Sequence, residues 1–184
     1  MHEETKRKKT GTIRLVLAGM LAAAVAITTA YLKIPLAFGY IHLGDALIFL
    51  SAAVLGPFAA VPAGIGSMLA DLLAGYVVYM PATFVIKFLV GLTAGFVLKR
   101  NQYSISRPAE KKPSAGKLAF YALIFLLCEL FMAAGYFFYE WFLYSFTAAV
   151  SGLPFNLIQG ASGVIIGMAL LPLAQKLRVT AERI

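Results

Sequence analysis

A chain of 184 residues that is 61% hydrophobic and 13% charged, with a mean hydropathy of +0.84, is too apolar for a soluble domain, where about 45–50% of residues are apolar. A bilayer core about 30 Å thick takes roughly 20 apolar residues per helix, so this length holds at most about six crossings and leaves no separate soluble domain. The formal net charge of +8 would suggest nucleic acid in a soluble protein, but the charges sit in the tails and one loop, where membrane orientation explains them.

The basic run Lys6-Arg7-Lys8-Lys9 precedes an apolar stretch, as in a signal peptide. The stretch 13–32 is long for a cleaved segment and further spans follow, so it reads as a retained first helix. Residues 33–40, with Pro35 and Gly39, break it. A short second helix is expected over 45–55, with Asp45 placed to cap its start. Gly56-Pro57 turns the chain into a third helix over 58–78. Pro81 opens a fourth over 82–98. Residues 99–117 form a polar linker, and further helices are expected over 118–144 and 155–177, joined by a loop over 145–154. The whole reads as an all-α integral membrane protein: a basic tail 1–12, a six-transmembrane-helix domain 13–177, and a tail 178–184. The second helix is short for a full crossing, so its depth stays open.

Charge counting orients this bundle. Five basic residues precede residue 15; Lys99, Arg100, Arg107, Lys111, Lys112 and Lys117 lie in the linker; Lys176, Arg178 and Arg183 lie at the end. These are fourteen of the sixteen Lys and Arg, so both termini are expected in the cytoplasm.

Ionisable groups inside a membrane segment are costly and mark function by default. Asp45, Asp71, Lys87, Glu129 and Glu140 qualify, and the topology gathers them toward the outer half. At helical spacing Glu129, Tyr136 and Glu140 share a face, as do Asn156, Gly160, Gly163 and Gly167, with Gln159 beside them. Tyr76 and Tyr79 crown the third helix. A cavity open to the outside and lined by carboxylates, amides and tyrosines follows. The expected substrate contacts are Asp71, Tyr76, Tyr79, Lys87, Glu129, Tyr136, Glu140, Asn156 and Gln159. Asp71 and Lys87 read equally as a structural ion pair, and the tyrosines as interface aromatics. No catalytic set, metal-ligand spacing or cofactor motif is present: Cys128 is single, in an apolar run, and reads as a small buried hydrophobe. Ala18, Ala22 and Ala26 form a small-residue stripe on the first helix, suited to packing within the bundle or to docking a partner.

Three stretches carry a family resemblance: Leu43-Gly44-Asp45-Ala46-Leu47-Ile48-Phe49-Leu50; Ala70-Asp71-Leu72-Leu73-Ala74-Gly75-Tyr76 with Tyr79, Pro81 and Lys87; and Leu153-Pro154-Phe155-Asn156-Leu157-Ile158-Gln159-Gly160. In this order the chain resembles the S components of energy-coupling-factor (ECF) transporters, six-helix proteins of the prokaryotic cell membrane that capture vitamins. The resemblance implies high-affinity substrate binding from outside. It also implies association with a transmembrane coupling subunit and two cytoplasmic ATPase subunits, docking through Ala18, Ala22 and Ala26, and a substrate lid over 33–42. The stretches look most like the branch for hydroxymethylpyrimidine or pyridoxine, with riboflavin or pantothenate as alternatives. No G-x-x-x-x-G-K-[ST] loop is present, consistent with energy from a partner. The competing reading is a stand-alone proton-coupled carrier with Glu129 or Asp71 as relay. A membrane enzyme lacks a nucleophile–base set.

Overall fold

Long apolar runs must satisfy their backbone internally in lipid, and helices do so within one segment. The computed structural model describes residues 2–36, 39–100 and 114–183. In them the chain forms α1 (His2–Tyr31), β1 (Lys33–Leu36), β2 (Gly39–His42), α2 (Gly44–Leu55), α3 (Ala60–Ala74), α4 (Met80–Arg100), α5 (Ala115–Leu143) and α6 (Phe146–Arg183). Most of the linker expected over 99–117 lies outside the described residues.

Among the described residues, five helical runs are long and apolar enough to cross a membrane: Gly11–Tyr31, Gly44–Ala74, Val77–Arg100, Ala115–Leu143 and Phe146–Ala174. The second run contains both α2 and α3 and folds back on itself. Its reversal is the short 3₁₀ turn Gly56–Ala59, where Gly56 has φ +62° and ψ −141°, a region open only to glycine. Along α4, Lys87 meets Asp45, while Gly95 abuts the Gly56 carbonyl and Gly91 abuts Ala59. Residues 45 and 56 are therefore about as far apart along the bundle as 87 and 95. From there α3 climbs back until Gly64 faces Phe84 and Phe88.

The depth of α2 follows. Twelve residues rise about 18 Å. The helix runs beside α6 in the same direction, with Asp45 at Gly163 and Phe49 at Gly167. Its first turn lies level with Lys87, partway down α4, and its last lies near Lys99.

Several expected boundaries move. Strands β1 and β2 pair antiparallel, with Lys33 opposite His42 and Leu36 opposite Gly39; residues 37 and 38 are outside the description. The third helix ends at Ala74, because Gly75 at φ +82° caps it while the Tyr76 N–H donates to the Asp71 carbonyl at 2.8 Å. The loop expected over 145–154 is helical. The Ser145 hydroxyl accepts from the Ala148 N–H at 3.2 Å and starts α6, and Pro154 lies inside the helix, as membrane helices tolerate. Both expected tails continue α1 and α6 as helix, to His2 and Arg183.

The core lies among α2, α4, α5 and α6. Phe49 of α2 and Phe125 of α5 are fully buried and stack with ring centroids 3.9 Å apart. Helix α1 packs mainly on α3, where a Cβ on Gly66 would stand 2.6 Å from the Ala22 carbonyl. Leu15, Val16, Met20 and Ile27 form its exposed face, which suits lipid.

Gly95→Ala should cost about 1–3 kcal/mol through overpacking, because its Cβ would overlap the Gly56 carbonyl and lie 2.8 Å from the Pro57 nitrogen. Thermal unfolding in detergent checks this. Gly19→Ala, with nothing within 4 Å of its Cβ, should not lower the melting temperature.

Candidate functional site

The site starts where α2 starts. Asp45, in the first turn, is 1% exposed, and its carboxylate meets the Lys87 ammonium of α4 in a buried salt bridge. Gln159 of α6 donates to Asp45 Oδ2 at 2.7 Å. Lys87 Nζ also lies 2.8 Å from Met132 Sδ and 5.8 Å from the Tyr136 ring centroid. Tyr136 in turn donates to Thr83 Oγ1 at 3.0 Å. Four helices thus meet around one ion pair.

The expected cap role of Asp45 is corrected. Leu43 stands at the cap position of α2 without a side-chain bond, and His42 Nδ1 accepts the Gly44 N–H at 3.1 Å. Asp45 points inward because Gly163 offers it no Cβ: one would lie 2.9 Å from Asp45 Cβ. The carboxylate that holds Lys87 is thus that of Asp45, where the sequence suggested Asp71.

Beyond this pair opens a cavity of about 280 Å³. Asp71, Tyr76, Tyr79, Lys87, Tyr136, Glu140, Asn156 and Gln159 all line it, so eight of the nine expected contacts come together. Glu129 does not line it. It is 3% exposed and packs behind the wall, where a Cβ on Gly160 would come within 2.9 Å of Glu129 Cβ and one on Gly163 within 3.1 Å of its Oε1. Neither carboxylate oxygen has a hydrogen-bond partner among the described atoms.

The wall also contains Thr29, His42, Ser67, Gly152, Phe155 and, again, Thr83. Spacing could have found four of these. Ser67 lies four residues before Asp71, Thr83 four before Lys87, Gly152 four before Asn156 and Phe155 four before Gln159, so each shares a helical face with an expected contact. Thr29 and His42 reach the cavity only through tertiary packing. At the end of the cavity away from Asp45, Tyr79 donates to Glu140 Oε1 at 3.4 Å, and its ring lies 6.3 Å from Tyr76, 5.7 Å from Tyr139 and 6.4 Å from Tyr144.

The stripe expected to dock a partner is largely turned into the bundle. Ala18 and Ala26 are 3% and 4% exposed, whereas Ala22 is half-buried and Gly19 and Ala23 are exposed.

Apolar helices of membrane length here surround a polar cavity, the architecture of a membrane-embedded protein with an internal pocket. The family described as "ECF-type riboflavin transporter, S component" matches residues 9–177, and the chain belongs to it. The chain is also 31% identical over 147 residues, 78% of this chain and 89% of the other, to a Pyrococcus woesei protein described as "Uncharacterized protein in gap 3'region".

Asp45→Asn should destabilise the protein by about 3–5 kcal/mol, because it strands a buried ammonium. The double variant Asp45→Asn with Lys87→Met should recover most of that loss. Melting of the purified variants checks both.

Proposed function

We propose that this protein is the high-affinity substrate-binding subunit of an ATP-driven ECF-type importer in a prokaryotic cell membrane. Its substrate is a small heteroaromatic vitamin or precursor of the size of hydroxymethylpyrimidine or pyridoxine. The observation that carries this reading is the cavity. Its volume of about 280 Å³ lies at the lower edge of the roughly 300–1,000 Å³ typical of sites for drug-sized ligands, which favours one substituted ring over a tricyclic flavin. Amide, hydroxyl and ammonium groups suit the nitrogens and hydroxymethyl groups of such a ring, and tyrosines stack on it. Lys87 offers little to an anion, because Asp45 already balances its charge.

The family's description favours a second reading, riboflavin. Purified protein in detergent, melted against a vitamin panel, separates the two: hydroxymethylpyrimidine or pyridoxine at micromolar concentration should raise the melting temperature. Asn156→Ala should weaken that protection at least tenfold. Protection by riboflavin alone selects the second reading, and no protection across the panel refutes both.

In this reading the membrane is crossed six times, α2 and α3 forming a hairpin, and both termini face the cytoplasm. Its support is charge: Arg14 precedes the apolar part of α1, Lys99 and Arg100 end α4, Lys117 opens α5 and Lys176 lies near the end of α6, all on the side of the Gly56 turn. The partners are a transmembrane coupling subunit and two ATPase subunits. Of the alanine stripe, Ala22 keeps exposure, flanked by the exposed Gly19 and Ala23, so contact with the coupling subunit runs along that edge. Ala22→Leu and Ala23→Leu should leave vitamin protection unchanged but abolish co-purification with the coupling subunit. Intact assembly of both variants would assign the stripe to internal packing alone.

A further inference from the structure

The proposed function leaves open what charge the ring carries, and the end of the cavity away from Asp45 bears on it. Lys87 and His42 are the basic side chains of the wall, and the lysine is matched by Asp45. The wall also holds the carboxylates of Asp71 and Glu140.

Glu140 is the sharper observation. Among the described residues its Oε1 receives the long 3.4 Å bond from Tyr79 alone. Its Oε2 is shut from solvent without a hydrogen-bond partner among the described residues and presses against Gly152, where even a Cβ would overlap it. A carboxylate set in a cavity wall with so few donors is stabilised by positive charge that enters the cavity. Beside it the rings of Tyr76 and Tyr79 stand nearly perpendicular, at 87°. Tyr139 fixes that arrangement: its hydroxyl donates to the Val78 carbonyl and its ring leans on Tyr79. Aromatic faces next to a carboxylate attract cations through the ring quadrupole, with Coulomb attraction added. A neutral ring would stack there equally well but would leave Glu140 unanswered.

The geometry points to a cationic ligand: a small ring bearing a protonated or quaternary nitrogen, its positive end held by Glu140, Tyr76 and Tyr79 and its other end reaching toward Lys87 and Gln159. This deepens the proposed function and rests on it.

Two probes of nearly identical shape test it: 3-(hydroxymethyl)-1-methylpyridinium and 3-methylbenzyl alcohol, which differ in the ring charge. Binding to the full-length protein in detergent is measured by calorimetry and by thermal protection, alongside the vitamin panel. The cation should bind at least tenfold more tightly than the neutral probe. Glu140→Gln should reduce that preference below threefold, and Tyr79→Phe, which keeps the ring, should retain most of it. Equal binding of the two probes, or a preference that survives Glu140→Gln, overturns the inference. The wild-type comparison decides by itself if the Glu140 variant does not fold. Protection by a vitamin without any advantage for the cation, including binding of neither probe, sinks the charge preference and leaves the proposed function standing. Failure of every vitamin and both probes sinks the proposed function itself.

Discussion

Two opposite charges buried away from water set the terms for the rest of this bundle. The Asp45–Lys87 pair joins α2 to α4, and each partner is nearly fully buried. Desolvating both groups is expensive, and their attraction offsets that cost only when the remaining donors and acceptors are also satisfied. Gln159 takes the second oxygen of Asp45, and Met132 and the Tyr136 ring cover the ammonium. The pair therefore draws α5 and α6 into one arrangement, and Lys87, Tyr136 and Gln159 each form part of the cavity wall.

Glycine makes room for these side chains. On α6, Gly152 accommodates Glu140, Gly160 and Gly163 accommodate Glu129, Gly163 also accommodates Asp45, and Gly167 accommodates Phe49. The helix acts as a smooth wall against which polar groups of α2 and α5 are pressed. Small residues serve membrane bundles in this way because lipid offers no hydrophobic drive between helices, leaving close packing and hydrogen bonds to hold them together. The same logic explains α4 against the Gly56 turn, where Gly91 and Gly95 let backbone approach backbone.

Much of this was legible in the sequence. Hydropathy located the helices, and helical spacing collected eight of the nine expected contacts in one cavity. The ninth, Glu129, was misread because a face of a helix is wide. It shares a face with Tyr136 and Glu140 yet lies deep enough to meet α6 glycines instead of the cavity. Asp45 was misread for a related reason: an acidic residue at a helix start usually caps, and only the approach of Lys87 and Gln159 from distant segments turns it inward. The break read at Pro154 failed because Ser145 supplies an earlier cap and a membrane helix accommodates an internal proline. The paired strands β1 and β2 carry no alternation strong enough to announce themselves.

The short α2 has one more consequence. A helix filling its slot from end to end would run about 30 Å, whereas its twelve residues cover about 18 Å. No residue of α2 lines the cavity, and His42, just before it, does. The cavity is in this sense subtractive: it opens where α2 stops short. Helical turns added ahead of Asp45 would run into that space and displace His42 from its wall.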